Sequence, residues 1–265
     1  MKTLNNVFVK FLFVTVLLFV VVSNSFSQDD STPKVGIYER LGETIPSDII
    51  LTNEYGQPVN VKSLITKPTV FSLVYFRCPG ICSPLLNGLT AVIDRTDLEP
   101  GKDFNVVTIS FDQTEDYLLA AGKKESYLAS LTRKIPSDSW RFLSGDSVNI
   151  RKIADALGFK FERQGNDFMH GASLMMVTPD GKITRYLNGV DYLPFDFKMA
   201  VTEASEGKVV PSINKLLKMC FSFDPEGRKY VLNVTRIAGG GILLMLGVFI
   251  GFIVFKKKKT KINNN

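Results

Sequence analysis

Two cysteines stand four positions apart where an apolar stretch of the sequence ends. Residues 69–76, just before Cys78 and Cys82, are mostly β-branched or aromatic, a pattern typical of a strand in the middle of a sheet. Ser83 and Pro84 suit the N-cap and the first position of a helix, so we predict a helix that begins after Cys82. Nearby backbone N–H groups and the helix dipole would favour thiolate over thiol. The pair is therefore a candidate reactive or metal-binding site.

His170 is the only histidine in the sequence, and it lies where a polar loop meets an apolar strand. On its own, a histidine at such a place is more often a surface or structural residue. Beside a dithiol it would complete a set of two thiolates and one imidazole, a soft donor set for which copper is the most apt metal. Zinc is less apt, because a closed structural zinc site normally has four ligands.

Other residues with metal-binding or redox chemistry have simpler interpretations. The third cysteine, Cys220, is predicted to be a buried structural thiol, with an extra metal ligand or an exchange partner near the membrane as the alternative. Met175 and Met176 carry thioethers, but their place on an apolar strand predicts the core. Asp112 either caps a helix or helps to tune the cysteines.

The elements around the cysteines indicate an α/β fold. Residues 104–111 predict a second buried strand, and Asp112 with Glu115 resembles the capping box of a helix at about residues 114–131. A short strand at 140–143 and a helix at 147–157 follow. Strands that alternate with helices at these lengths indicate βαβ units and a parallel sheet.

Hairpins and one more helix complete the predicted domain. A small hairpin (49–52 with 59–61) precedes the βαβ units, and a second one (172–178 with 183–187) follows them. A helix at 194–207 closes the sheet. This order predicts a thioredoxin-like fold with an N-terminal hairpin extension. Thioredoxins have two residues between their redox cysteines, whereas this chain has three, so the thioredoxin redox motif is not matched.

The two ends of the chain have the composition of targeting and membrane segments. Residues 1–27 predict a signal peptide, and residues 237–255, without a charge, predict a transmembrane helix of ~28 Å. The basic tail, 256–265, should stay cytoplasmic by the positive-inside rule. We therefore expect the domain (28–207) and its connection to the membrane (208–236) on the extracytoplasmic, periplasmic side of the cytoplasmic (inner) membrane.

The formal net charge of +6 does not indicate nucleic-acid binding. Seven of the 32 Lys and Arg residues lie within residues 1–27 and 256–265, and the rest nearly balance the 26 Asp and Glu residues. The folded part is thus close to neutral, without the basic surface that nucleic acid requires.

Three motifs, in this order, resemble those of the Sco/SenC family, thioredoxin-like copper proteins anchored in membranes that help to assemble the copper centre of cytochrome c oxidase. The motifs are YFRCPGICSPLLNGL, VVTISFDQTED and HGASLMMVTPDGKITRYLNG, within a resemblance that runs from about residue 42 to 189. The resemblance implies that Cys78, Cys82 and His170 bind Cu(I) or Cu(II). It also implies that the copper-bearing subunit of the oxidase is the recipient.

Two residues depart from the family pattern. Met169 stands where the family commonly has an Asp before its histidine, and Gln113 stands where it has a Pro. A missing carboxylate would change how the imidazole is oriented, because groups behind a ligand often set its orientation.

These observations leave more than one functional interpretation. The first is a copper metallochaperone. The alternative is an extracytoplasmic thiol-disulfide reductase, in which Cys78 attacks and Cys82 resolves; whether the protein is an enzyme thus stays open. A peroxidase is weaker, because no lone peroxidatic thiol stands out. Disulfides persist outside the cytoplasm, so a partner thiol reductant would be needed to keep the dithiol able to bind copper.

Overall fold

The structure is a computed structural model that describes most of the predicted domain. It covers residues 35–165 and 167–210, two strands within 221–232, and five helical residues between 239 and 249. The predicted signal peptide, the basic tail, most of the predicted transmembrane segment and Cys220 lie outside the described residues. In the part of the chain that is described, no helix has the length and apolar character needed to cross a membrane.

A seven-stranded mixed sheet forms the centre of the domain. In chain order its strands are β2 (Ile50–Asn53), β3 (Pro58–Asn60), β4 (Thr69–Val74), β5 (Asn105–Ser110), β6 (Trp140–Ser144), β10 (Ser173–Val177) and β11 (Ile183–Asn188). Across the sheet they follow the order β11-β10-β4-β5-β6-β2-β3. The three central strands, β4, β5 and β6, run parallel, and the flanking hairpins pair antiparallel to them. Both the predicted hairpins and the parallel centre are confirmed.

Four α-helices pack around this sheet. They are α1 (Cys82–Arg95), α2 (Tyr117–Ser130), α3 (Ser147–Ala156) and α4 (Pro194–Ser205), with short 3-10 turns at Val61–Leu64 and Ser137–Ser139. The apolar face of α1 is buried, as its sequence pattern predicts. Helix α1 contacts both α2 and α4, and α2 packs on β6. Because only a short turn separates the end of β4 from Cys82, the first turn of α1 lies at the carboxyl end of β4.

The core is aromatic and contains satisfied polar groups. Trp140, Phe71 and Phe142 are fully buried, and Trp140 Nε1 donates to Thr108 Oγ1 at 2.9 Å. Met175 and Met176, on the same sheet, are also fully buried, so their predicted place in the core is confirmed.

Two helix starts differ from the sequence-based expectation. Helix α1 begins at Cys82 itself, with Ile81 as N-cap, because Pro84 fits inside the first turn, where its missing N–H is not needed. Helix α2 begins at Tyr117, with Asp116 as its cap. The predicted capping box at Asp112 is thus wrong: the Asp112 carboxylate accepts bonds from the N–H and hydroxyl of Thr114 instead.

Small paired segments were not predicted. Strand β1 (Gly36–Ile37) pairs with β7 (Phe159–Lys160), and β8 (Glu162–Gln164) pairs with β9 (Asp167–Met169) in a separate two-stranded sheet. Strands β12 (Phe221–Asp224) and β13 (Lys229–Leu232) form a hairpin in a region expected only to be a connection. The β8–β9 pair is short and polar, which leaves little apolar alternation to detect.

Candidate metal centre

The cysteine turn joins the end of β4 to the start of α1. Cys78 N–H donates to the Tyr75 carbonyl at 3.2 Å, and Gly80 N–H donates to the Cys78 sulfur at 3.3 Å. Both thiols are free. Cys78 is half-buried and sits among exposed neighbours, whereas Cys82, in the first turn of α1, is only 3% exposed. One sulfur thus faces the surface and the other faces the core.

Sheet register brings His170 to this turn from a distant part of the sequence. Strand β10 runs antiparallel to β4, with Leu174 opposite Ser72. The residues just before β10 consequently lie beside the carboxyl end of β4, where the cysteine turn begins. This pairing closes the gap of 88 positions between Cys82 and His170.

The three predicted ligands meet in one place. The two Sγ atoms and a ring nitrogen of His170 all lie within 4.8 Å of one another, and Cys82 Sγ is 3.4 Å from His170 Nε2. Two soft sulfurs and one imidazole at this spacing form a donor set that fits a single copper ion.

A backbone carbonyl sets the orientation of the histidine ring. His170 Nδ1 lies 2.8 Å from the Gly171 carbonyl oxygen, which can only accept, so Nδ1 carries the proton. The lone pair of Nε2 then faces Cys82. The Gly171 carbonyl thus orients the imidazole, a role that a carboxylate at position 169 was expected to have. Met169, which occupies that position, is 38% exposed. Burial lowers the pKa of His170, although the bond to Gly171 opposes this, and so favours the neutral, metal-binding form.

The acidity of Cys82 differs from the expectation. Burial raises the pKa of the Cys82 thiol, and the N–H of Tyr75, 3.5 Å from the sulfur, only partly offsets this. The prediction that this position favours the thiolate is therefore wrong for Cys82, because burial of the sulfur disfavours its charged form. A metal ion that binds here must displace the thiol proton.

Aromatic rings enclose the histidine. The ring of Phe111 lies 5.0 Å from that of His170, and the rings of Tyr75 and Phe159 lie 5.8 and 6.0 Å away, between centroids. Phe168 packs edge-on against Tyr75 at 5.2 Å. The imidazole is thus held by side-chain packing on its buried side.

One buried residue beside the site was missed by sequence reasoning. Glu115, 3% exposed, accepts hydrogen bonds from the backbone N–H groups of Phe76 and Arg77, immediately before Cys78. The sequence pattern predicts a capping role for Glu115. Its position after β5 could have indicated otherwise, because the carboxyl ends of neighbouring parallel strands meet at one edge of the sheet. Asp112, the residue considered for tuning the cysteines, instead bonds to Thr114.

The fold and the three donors define a thioredoxin-like protein with a soft-metal site of two cysteines and one histidine. Sequence comparison identifies the family: the SCO1/SenC family model matches residues 39–195, more than half of the chain. The chain belongs to the SCO1/SenC family.

Individual relatives agree with this membership. The SCO1 protein homolog of Bacillus subtilis (strain 168) is 27% identical over 150 residues, which is 54% of this chain and 74% of that protein. A crystal structure of a protein from Aquifex aeolicus VF5 is 31% identical, with a TM-score of 0.57, and the match covers 63% of this chain and 95% of that one. Copper-bound ScoI of Arabidopsis thaliana, 18% identical, matches in fold with a TM-score of 0.50, over 62% of this chain and 99% of that one.

Proposed function

We propose that this protein is a copper metallochaperone that holds Cu(I) or Cu(II) on Cys78, Cys82 and His170. The observation that carries the proposal is the convergence of the two thiols and the unprotonated Nε2 within 4.8 Å. Thiolates select Cu(I), and the imidazole is a good ligand for either oxidation state, so the set suits an ion that is carried and then released.

The proposed recipient is the copper-bearing subunit of cytochrome c oxidase. The Sco family is one of cytochrome c oxidase assembly proteins, and the Arabidopsis relative holds copper on the same fold. In this proposal the chain either loads copper, as its cargo, into the copper centre of the oxidase or prepares the cysteines of that centre.

The difference in exposure between the sulfurs suggests a route for release. Cys78 is half-buried at the surface, so a thiolate of the recipient can approach copper from that side and displace Cys78 first. Such a ligand exchange leaves the oxidation state of copper unchanged and needs no oxidant or reductant.

The proposed location is the extracytoplasmic side of the cytoplasmic membrane. Support comes from the sequence alone: the signal-like residues 1–27 and the uncharged stretch 237–255, followed by lysines. There the two thiols would oxidise to a disulfide unless a thiol reductant restored them.

A thiol-disulfide reductase is the second candidate, and the asymmetry of the dithiol favours it. Accessible Cys78 would attack a partner disulfide, and buried Cys82 would then attack the mixed disulfide. The partner gains two electrons as two thiols, and this chain is left with a Cys78–Cys82 disulfide for the reductant to reduce. This reaction does not require His170.

The role of His170 separates the two candidates. In cells that lack the protein, the His170→Ala variant should fail to restore copper content and activity of the oxidase, whereas the control Met169→Leu, which changes the exposed neighbour, should restore both. If His170→Ala removes copper binding in vitro yet restores full oxidase activity, the chaperone function is refuted and the reductase is favoured.

A further inference from the structure

The sheet hydrogen bonds of β4 on its β5 side stop before the cysteine turn. The β4–β5 pairing ends with Val74 opposite Ser110, after which Phe111 N–H still donates to the Val74 carbonyl at 2.8 Å. The N–H groups of Phe76 and Arg77 therefore need partners other than the backbone of β5. Phe76 is buried, so leaving its N–H unpaired would be costly.

Glu115 supplies these partners with one carboxylate. Its Oε2 accepts from Phe76 N–H at 2.6 Å and from the Ser110 hydroxyl at 2.6 Å, and its Oε1 accepts from Arg77 N–H at 2.8 Å. Charge-assisted hydrogen bonds of this kind are about twice as strong as neutral ones. The side chain thus joins the end of β5 to the backbone just past the end of β4.

The bonded backbone leads directly into the ligand Cys78. With Phe76 and Arg77 N–H fixed, the chain direction entering Cys78 is set, and the bond from Cys78 N–H to the Tyr75 carbonyl completes the turn. Cys82 needs no such support, because the first turn of α1 fixes its backbone. Of the two thiols, Cys78 is therefore the one whose position depends on this carboxylate.

We infer that Glu115 is a positioning residue of the metal centre, which holds Cys78 in place for copper through the backbone of Phe76 and Arg77. The inference rests on the proposed function, because it concerns how copper is bound. Glu115 is not proposed as a ligand: it acts on the backbone that presents the sulfur.

The test compares two buried carboxylates in the full-length chain. Glu115→Gln keeps the shape but replaces one acceptor oxygen with an NH2 group that faces a donor. The control is Glu203→Gln: Glu203, 9% exposed, pairs with Arg185 at 3.0 and 2.8 Å. Arg185 lies opposite Met176, which pairs with Val70 near the start of β4, at the other end of the sheet.

Cu(I) affinity is measured by competition with a chelator, together with the free energy of unfolding of the copper-free protein. Glu115→Gln should bind Cu(I) about tenfold more weakly. Its Cu(II) form should also show a shifted thiolate-to-copper charge-transfer absorption. Glu203→Gln should lose stability but keep both the affinity and the absorption of the unchanged protein. A Cu(I) affinity of Glu115→Gln within twofold of the unchanged protein, with an unshifted absorption, overturns the inference.

A milder variant keeps the inference testable if Glu115→Gln does not fold. Ser110→Ala removes one of the three donors to the carboxylate and should weaken Cu(I) binding about threefold, the effect of roughly one hydrogen bond; an unchanged affinity then overturns the inference. Failure of the proposed function gives a different result, because the unchanged protein itself would then not bind copper.

Discussion

The cysteine turn and the histidine segment contribute to the same site but are held in different ways. Cys78 and Cys82 lie between a strand and a helix of the main domain, and the backbone of their turn is bonded by Glu115. His170 follows a two-stranded sheet, β8–β9, that does not belong to the seven-stranded sheet. That hairpin attaches to the cysteine side through aromatic rings and a 3.4 Å bond from Tyr75 to Asp167.

This difference indicates that the cysteine turn and the histidine segment contribute differently to copper binding. Backbone and charge-assisted hydrogen bonds fix the turn that carries the two cysteines, whose sulfurs are the donors suited to a soft ion. The Gly171 carbonyl orients the imidazole, and aromatic rings pack around it, so a change in this packing should weaken binding only in part. Loss of a cysteine sulfur should therefore have a large effect on copper binding, and a change in the packing of the hairpin should have a smaller one.

Loss of a thiolate should have the largest effect. Cys82→Ser replaces a soft ligand with a hydroxyl of similar size, and we expect Cu(I) affinity to fall at least about 100-fold, or roughly 3 kcal/mol. Competition with a chelator measures the loss, and an unfolding curve checks that the variant is folded. Retention of affinity within tenfold would contradict a thiolate site at this turn.

The pH dependence of copper binding sharpens the comparison, because burial shifts the pKa values of Cys82 and His170 in opposite directions. Burial raises the pKa of Cys82 above its ordinary value of 9.0 and lowers that of His170 below 6.5. Between these values Cys82 carries a proton that copper must displace, whereas His170 is already neutral. Copper affinity should therefore rise at least about tenfold per pH unit from pH 7 to 8.

The same shifts set the behaviour of the copper-free protein. Above pH 6.5 His170 is neutral in both the folded and the unfolded chain, so it contributes no pH dependence. As the pH falls below 6.5, only the unfolded chain takes up this proton, and stability decreases until the lower folded pKa is reached. His170→Ala should remove this loss of stability below pH 6.5, as measured by unfolding curves at several pH values.

For the copper-bound protein, an affinity that does not change from pH 7 to 8 would refute a protonated Cys82.

A change in the packing of the hairpin should have a much smaller effect than loss of a cysteine sulfur. Phe168→Ala removes the ring that packs on Tyr75 and Phe111, and should weaken copper binding about fivefold, or roughly 1 kcal/mol. Phe195→Ala, at a side chain that is 71% exposed, is the matched control and should change nothing. A loss as large as that of Cys82→Ser would mean that the hairpin, too, is a rigid support of the site.

The sequence predicted the sheet, and the grouping of Cys78, Cys82 and His170, because strand patterns and motifs are readable locally. The apolar strand before Cys78, the hairpin after His170 and the motif order were all readable, and Cys78, Cys82 and His170 lie together as predicted. Two features depend on contacts with other parts of the fold: the burial that raises the pKa of Cys82 and the inward turn of Glu115. A third, the bond from His170 to the Gly171 carbonyl, joins adjacent residues but depends on the local backbone conformation. None of these leaves a periodic pattern in the sequence.

Helix starts were the other source of error, for a related reason. Both Asp112 and Asp116 are good capping residues, and local sequence favours the first because Glu115 completes a capping box. Tertiary structure selects Asp116, since Glu115 is needed by the backbone of the neighbouring turn.

X-ray absorption spectroscopy of the copper-loaded, reduced protein tests the site most directly. With one copper bound per chain, the spectrum should be fitted by two sulfur neighbours and one nitrogen neighbour, and the nitrogen contribution should disappear in His170→Ala. A copper environment that lacks sulfur, or one that is unchanged in His170→Ala, would contradict the site formed by Cys78, Cys82 and His170.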